Sequence, residues 1–326
     1  MRRLWLAWGL AAACSSACSF DGLDDYSKGS DAGAQDVTAA DVGNPIDAQV
    51  DQAPPVDAAP DTTAPPCNLA SPFGAPTPLS TLNTSKYEAQ AELSPDGLTI
   101  YFESDRLNAG LNVFTASRPS TSSAFGSVAP RASLDFSGAD TWNVTLTADG
   151  LTAYVVTDQN AADHMYKATR ASSLASFGTP TLMPSSIVKG EQPFVRPDGL
   201  VLYFSDKSGP KGQVAHAVLS GPTVTDLPLV VAGNLDLGIP VVNAGDTLLY
   251  FAVYDASNAN STNTYDIWMA SRASQTDAWG TPVAVTELNT NGFDVPSWLS
   301  ADGCELYFTR APNGSGNADM YSARRP

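Results

Sequence analysis

The sequence is poor in positive charge. It contains 17 Lys and Arg against 34 Asp and Glu, which gives a formal net charge of −17. Nucleic acids and anionic membrane surfaces are bound mainly through clusters of Lys and Arg, and no such cluster occurs in this sequence. The composition therefore argues against nucleic acid as a partner and against direct electrostatic binding to a membrane.

Residues that carry common catalytic chemistry are also scarce. The chain has two histidines, His164 and His216, and four cysteines. There is no GxSxG, no HExxH and no phosphate-binding loop, and no Cys/His cluster has the spacing of metal ligands. The sequence therefore predicts no metal and no cofactor.

After the N terminus, no run approaches the roughly 18 apolar residues that cross a bilayer. The N terminus has Arg2 and Arg3, the apolar run LWLAWGLAAA and then small residues, which predicts an export signal over residues 1–19. LAAAC, ending at Cys14, resembles a bacterial lipoprotein signal, in which that cysteine carries the lipid. Cys18 is the competing position, and ordinary secretion is the alternative. By the sorting pattern that this resembles, Ser15 would suit the outer membrane of the cell envelope.

Residues 20–66 have almost nothing to bury. This segment contains ten Asp and one Lys among many Ala and Pro residues. A chain of this composition repels itself and cannot form a packed core. It is predicted to be a disordered linker that tethers a folded domain at residues 67–326.

The folded part of the sequence is repetitive. The stretch SPDGLTIYFESDR at 94–106 returns in variants whose turns contain Asp149, Asp198, Asp246 and Asp302, with a period of about 50 residues. Asp-Gly between apolar runs predicts a two-residue type I′ turn with positive φ at both residues. The following strands, such as LTIYF and LVLYF, are apolar on both faces, which predicts burial on both sides. Four short antiparallel strands per repeat describe a propeller blade.

The stretches SPDGLTIYFESDR and RPDGLVLYFSDKSG resemble the TolB-like, WD40-like β-propeller repeat of bacterial envelope proteins, and the resemblance covers residues 73–326. It implies an all-β fold and is uninformative about function. The chain ends after a third strand, DMYSARR, and the element FGAPTPLSTLN near residue 73 can supply the fourth. We therefore expect a five-bladed β-propeller closed by its N-terminal strand, with six blades as the alternative. Cys67 and Cys304 would then meet in the last blade and form a disulfide.

Candidate binding residues recur at two positions of the repeat. A carboxylate lies near the start of each innermost strand, and a polar residue opens each third strand. The first set is Glu88, Asp140, Glu191, Asp236 and Asp294, and the second is Asn112, His164, Gln213, Asp266 and Asp319. Both sets are expected on the face of variable loops, where binding residues usually lie. The carboxylates could form an acidic ring for a cation, an amine or sugar hydroxyls, or each could cap its own loop or pair with a neighbouring Lys or Arg.

These features favour a non-catalytic, lipid-anchored propeller of the cell envelope, acting as a monomer. It would bind a glycan, a peptide or an envelope protein through its loop-rich face. The alternative is a glycoside hydrolase, because that reaction needs only two carboxylates at a suitable separation. A purely structural envelope protein is the third hypothesis.

Overall fold

The structure, a computed structural model, describes residues 67–326 except 109, 160–162, 210, 222, 232–234, 255–264 and 313–316. The predicted signal at 1–19, with Cys14 and Cys18, and the linker at 20–66 lie outside the described residues. The described part is built from β-strands and turns and contains no α-helix. It follows that these residues include no helix that could cross a membrane.

Twenty strands follow one another along the described chain. They are β1 (Thr77–Pro78), β2 (Glu88–Leu93), β3 (Thr99–Ser104), β4 (Asn112–Ser117), β5 (Gly126–Pro130), β6 (Thr141–Leu146), β7 (Thr152–Thr157), β8 (His164–Thr169), β9 (Thr181–Leu182), β10 (Glu191–Val195), β11 (Val201–Asp206), β12 (Gln213–Val218), β13 (Val224–Asp226), β14 (Asp236–Val242), β15 (Leu248–Tyr254), β16 (Tyr265–Ser271), β17 (Val283–Ala284), β18 (Phe293–Leu299), β19 (Glu305–Ala311) and β20 (Asp319–Arg324).

The strands form four-stranded antiparallel sheets of the kind that make propeller blades. Blade 1 is β2–β5, blade 2 is β6–β9 and blade 3 is β10–β13. The remaining strands form a continuous sheet, in which blade 4 (β14–β17) meets blade 5 (β18–β20 with β1) through one parallel pair, Tyr265 and Phe293. The N-terminal strand β1 is the outer strand of blade 5, because it pairs antiparallel with β20. The described chain is thus all-β and propeller-like, as predicted.

The second strand of each blade forms the core. In β3 every residue after Thr99 is buried, and β11 is buried from Val201 to Ser205. Phe102 and Phe204 are both about 1% exposed. Burying such a side chain contributes roughly 1.5–3 kcal/mol. The prediction that these strands are covered on both sides is confirmed, because each is packed between neighbouring blades.

The Asp-Gly turns are not of type I′. Positive φ occurs at the glycine alone, for example 67° at Gly97, whose N–H donates to the Ser94 carbonyl at 2.8 Å. This is the pattern of a type I turn followed by a left-handed glycine. Asp96 acts through its side chain, because its Oδ1 accepts the Leu98 N–H at 2.9 Å and the Ser94 hydroxyl at 2.6 Å. The predicted turn type was wrong because these connections are longer than two residues.

The fourth turn, Gly245-Asp246, has the two residue types in reversed order, and a different side chain accepts the N–H groups that follow it. Asn243 Oδ1 accepts the N–H groups of Thr247 and Leu248 at 2.8 and 2.9 Å, in place of the missing aspartate. Asp246 takes the glycine position with φ of 53°. Its buried carboxylate accepts three further groups, which offset the strained backbone: they come from Tyr203 at 2.7 Å, Arg272 at 2.7 Å and Arg196 at 3.0 Å.

The recurring Phe-Gly element and the arginine at the end of the third strand form one unit. Arg170 donates its Nε–H to the Gly150 carbonyl at 2.7 Å and stacks over Phe177, 4.5 Å from the ring centre. Gly178 N–H then bonds the Thr169 carbonyl at 2.8 Å, which starts the outer strand. The same stacking joins Arg118 to Phe125, Arg272 to Trp279 and Arg325 to Phe73.

Cys67 and Cys304 form a disulfide with a Cα–Cα distance of 5.8 Å. Cys304 lies directly before β19, and Cys67 precedes β1 in the chain. The bond therefore joins the start of the described chain to the blade in which β1 is the outer strand.

Candidate functional site

In each blade, the first strand and the third strand begin at the same end. In blade 1, Glu88 pairs with Ser104, which in turn pairs with Asn112. We call this end the loop-rich face, and the opposite end, which carries the Asp-Gly turns, the turn face. The two sets of residues predicted from the repeat all lie at the loop-rich face of their blades.

Two of the predicted carboxylates are fully buried and held in the same way. Glu88 accepts the N–H and hydroxyl of Thr84, both at 2.8 Å, and pairs with Arg106 at 3.2 Å. In blade 5, Asp294 does the same with Thr290, at 2.7 and 2.6 Å, and with Arg310 at 2.6 Å.

These contacts give Glu88 and Asp294 the role of loop caps. The oxygen atoms of each carboxylate are thus already engaged by several hydrogen-bond donors and by a guanidinium of the same blade. Both side chains therefore support the shape of the loop-rich face, and their burial keeps them from direct contact with a ligand.

The other three carboxylates have different partners. Glu191 pairs with Lys207 at 2.6 Å. Asp140 accepts the N–H of Leu111 at 2.8 Å, and Asp236 accepts the N–H of Gly212 at 3.1 Å. The structure thus places the five predicted carboxylates at equivalent ends of the blades, but it does not give them a common environment.

The groups that open the third strands are partly exposed. Asn112 donates to the Gly110 carbonyl at 3.0 Å, and His164 pairs in register with Thr157. Burial, reinforced by the charge of Asp294, raises the pKa of Asp266. Burial and the charge of Glu88 likewise raise the pKa of Asp319. These two aspartates offer polar oxygen atoms beside the loop caps of blades 5 and 1.

A groove of about 210 Å³ lies at the same end of blade 3. It is lined by Asp206, Lys211, Gln213 and Asp226, together with Ser208 and Gly209. Burial, with a further contribution from the charge of Asp206, raises the pKa of Asp226. Gln213, one of the residues predicted from the repeat, therefore borders this groove, and its neighbours carry both signs of charge.

Two buried glutamates at the boundary of blades 1 and 2 were not predicted. Glu92 accepts the Leu146 N–H at 3.0 Å and the Thr145 hydroxyl at 3.2 Å. Glu103 accepts the Asn143 N–H at 2.9 Å. Burial raises the pKa of Glu92 to about 8 and that of Glu103 to about 7, although these hydrogen bonds act in the opposite direction. The sequence signal that could have revealed them is a glutamate within a strand that is otherwise largely apolar.

A ring of residues in the innermost strands was also missed. Each of these strands has a register shift close to its start. The residues at these bulges, which we call the bulge ring, are Gln90, Asn143, Gln192, Ile239 and Ser297, and all five line one small cavity. The recurrence of a carboxamide six residues before the turn aspartate in the first three repeats was the signal that could have revealed the ring.

The two boundary glutamates predict a loss of stability as the pH rises from their ordinary pKa of 4.5 to the folded values of about 7 and 8. A buried carboxyl with a raised pKa stabilises the fold while protonated, and this stabilisation is lost as the pH rises through the folded pKa. Between about pH 6 and 9, wild-type protein should lose on the order of 3 kcal/mol of unfolding free energy. Glu92→Gln and Glu103→Gln should each flatten this dependence in chemical denaturation.

Glu88→Gln is the matched control, because it removes a buried glutamate that is paired with Arg106. It should destabilise the protein without flattening the pH dependence. The same loss in Glu92→Gln, Glu103→Gln and wild type would contradict the role of the two buried glutamates at this boundary.

We expect that replacing Asp135 by asparagine stabilises the protein. Asn83 and Asn289 each make two hydrogen bonds to the backbone of one residue in the preceding blade. Asn289 Oδ1 accepts the Ile267 N–H at 2.8 Å, and its Nδ2 donates to the Ile267 carbonyl at 3.0 Å. Asp135 accepts the Val113 N–H at 2.8 Å but, when ionised, has no proton for the carbonyl. Partial burial raises its pKa to about 6. Asp135→Asn should add about 1 kcal/mol of unfolding free energy at pH 8, allowing for solvent screening.

The gain should shrink at pH 4.5, because protonated Asp135 can donate as asparagine does. The reverse change, Asn289→Asp, should destabilise more at pH 8 than at pH 4.5. An equal effect of Asp135→Asn at both pH values would refute this explanation.

Several solved structures are similar to this chain. TolB from Acinetobacter baumannii is 12% identical, with a TM-score of 0.48 over 76% of this chain and 56% of that one. A TolB protein from Agrobacterium tumefaciens is 15% identical, with a TM-score of 0.47 over 73% and 74%. The catalytic domain of a Coprinopsis cinerea GH62 α-L-arabinofuranosidase is 14% identical, with a TM-score of 0.44 over 78% and 97%.

This chain spans little more than half of the A. baumannii protein. No protein-family model and no curated protein matches it. At these identities and TM-scores the likenesses carry no argument about activity or partners. The sheet architecture itself agrees with the TolB-like β-propeller repeat recognised in the sequence.

Proposed function

We propose that this protein is an exported envelope propeller that binds a glycan, a peptide or a protein partner through its loop-rich face. In this proposal, blades 1 to 5 close into a ring, and β1 completes the last blade. Residues 1–19 direct export, Cys14 carries a lipid, and residues 20–66 tether the domain of residues 67–326 to the outer membrane. The protein acts as a monomer and without a cofactor.

Contacts between the last and first blades support closure. The Gln90 N–H of blade 1 donates to Thr309 Oγ1 of blade 5 at 3.0 Å. The Glu88 N–H donates to the Ala318 carbonyl of blade 5 at 2.9 Å. Every strand in the described residues belongs to one of blades 1 to 5, so a sixth blade would need residues outside them.

The observation that carries a binding role is the arrangement of the carboxylates at the loop-rich face. The two that are most deeply placed, Glu88 and Asp294, are each neutralised by an arginine of their own blade. A glycoside hydrolase needs one carboxylic acid and one free carboxylate on either side of the substrate. Partly exposed polar groups beside rigid, capped loops are better suited to hydrogen-bonding a ligand than to hydrolysing it.

The disulfide supports export. Disulfides form and persist in oxidising compartments outside the cytosol. Cys67 and Cys304 form one in this structure, which agrees with an envelope location. The lipid anchor rests on the sequence around Cys14 alone, because that residue lies outside the described residues.

Anchoring is tested by cysteine substitution in the full chain. Cys14→Ser should move the protein from the membrane fraction to the soluble exported fraction, while Cys18→Ser should leave it in the membrane fraction. Release by Cys18→Ser alone would move the lipid to that residue. Retention by both single variants would contradict the proposed anchor.

Binding is tested with full-length protein on glycan and peptide arrays. The affinity for a ligand found on the arrays should fall at least tenfold in the double variant Asp266→Asn/Asp319→Asn, because this variant removes two charges at the loop-rich face. Leu174→Ser is the control, since Leu174 is 96% exposed and lies between β8 and β9, at the turn face. Equal loss in both variants would contradict the proposed face. Release of reducing sugar from a bound glycan would establish the hydrolase instead.

A further inference from the structure

The bulge ring is a repeated backbone feature with no role in the proposed function. The register of the first two strands shifts between Ala89 and Glu92 in blade 1, and between Trp142 and Thr145 in blade 2. Equivalent shifts occur in β10, β14 and β18. An extra residue in each innermost strand therefore turns toward the common centre of the blades.

Four members of the ring are strained. The φ angles are 54° at Gln90, 51° at Asn143, 51° at Gln192 and 54° at Ile239. Left-handed backbone costs roughly 1–2 kcal/mol in residues other than glycine, and it is rare for a β-branched residue such as isoleucine. Strain that recurs at the same place in four blades is imposed by the surrounding structure, and such places are candidates for function.

The preceding blade provides that constraint. The N–H of Asn143 donates to Glu103 at 2.9 Å, and the N–H of Ile239 donates to Ser205 Oγ at 2.8 Å. Ser205 Oγ also donates to Gln192 Oε1 at 2.5 Å. Because their backbone groups are held in this way, the ring side chains are fixed around the cavity that they line.

The cavity has a volume of about 10 Å³, with Val144, Pro193, Pro240 and Val241 completing its wall. A polar cavity of about 10–15 Å³ is large enough for one water molecule. Asn143 is only 7% exposed, and its Oδ1 is buried without a hydrogen-bond partner among the described residues. Leaving a buried acceptor unpaired costs about 1–3 kcal/mol.

We propose that this axial cavity is a binding site for one water molecule, which donates a hydrogen bond to Asn143 Oδ1 and bridges it to the neighbouring carboxamides Gln90 and Gln192. Carboxamides offer donors as well as acceptors, which matches water. Ca²⁺ and Mg²⁺ are bound by oxygen ligands that usually include a carboxylate, and the cavity wall contains no carboxylate. The water would link the innermost strands of different blades.

The test is a high-resolution crystal structure of the full chain, grown in a rubidium salt. We expect one density peak at about 2.6–3.2 Å from Asn143 Oδ1, without anomalous signal from rubidium. Absence of the peak would overturn the site. An anomalous peak at that position would overturn water in favour of a monovalent cation.

Asn143→Ile is the matched variant, because Ile239 shows that isoleucine fits the same bulge with the same φ. It should remove the peak, and oxygen-17 relaxation dispersion in solution should count one fewer long-lived water. Asn143→Asp, which keeps the acceptor, should retain the water. A peak that persists unchanged in Asn143→Ile would overturn the role of Asn143. If Asn143→Ile does not fold, the wild-type and Asn143→Asp structures decide whether the water is bound at Asn143.

Discussion

Neighbouring blades are joined by hydrogen bonds from the bulged innermost strand of one blade to a side chain on the second strand of the preceding blade. Thr309 accepts from Gln90, Glu103 from Asn143, and Ser205 from Ile239. A bulged N–H has no partner in its own sheet, and leaving it buried and unpaired would be costly. At these three boundaries the accepting side chain therefore fixes the position of the innermost strand of the next blade.

The acceptor differs from one boundary to the next. Serine and threonine accept the bond as neutral groups, whereas Glu103 brings an ionisable group into the core. The equivalent positions of blades 2 and 4 are Val156 and Ala252, which cannot accept. One boundary of the protein thus contains two buried carboxyls, Glu92 and Glu103, whose pKa values are raised by burial.

The loop-rich face is stabilised by a different set of contacts, those of the loop carboxylates. Each blade has a loop carboxylate that accepts hydrogen bonds, and the donors differ from one blade to the next. Blades 1 and 5 use an arginine and a threonine, blade 3 uses a lysine, and blades 2 and 4 use backbone N–H groups of the preceding blade. Recurrence of a residue type in the sequence thus goes with different hydrogen-bond partners in different blades.

The fold could be predicted because its signals are local and repeated. Apolar second strands such as LTIYF, the recurring Asp-Gly pair and the Phe-Gly element each depend on a few adjacent residues, so the all-β blade architecture was readable from periodicity alone. The turn type was missed for a related reason: the sequence shows that Gly97 needs a positive φ, but not how many residues the connection contains. The repeat also predicted that the two sets of polar residues lie at one end of the blades, as they do, but it could not predict their hydrogen-bond partners.

The sequence alone determined the strand order, the repeat and the excess of acidic groups, since these are properties of neighbouring residues. Only the tertiary structure decided which carboxylates are neutralised. Arg106 lies 18 residues from Glu88, and Asn143 lies 40 residues from Glu103. Such pairs depend on the register of strands and on which blades are adjacent. The axial cavity is the extreme case, because the residues that line it come from five different first strands and lie together only when the sheets pack against one another.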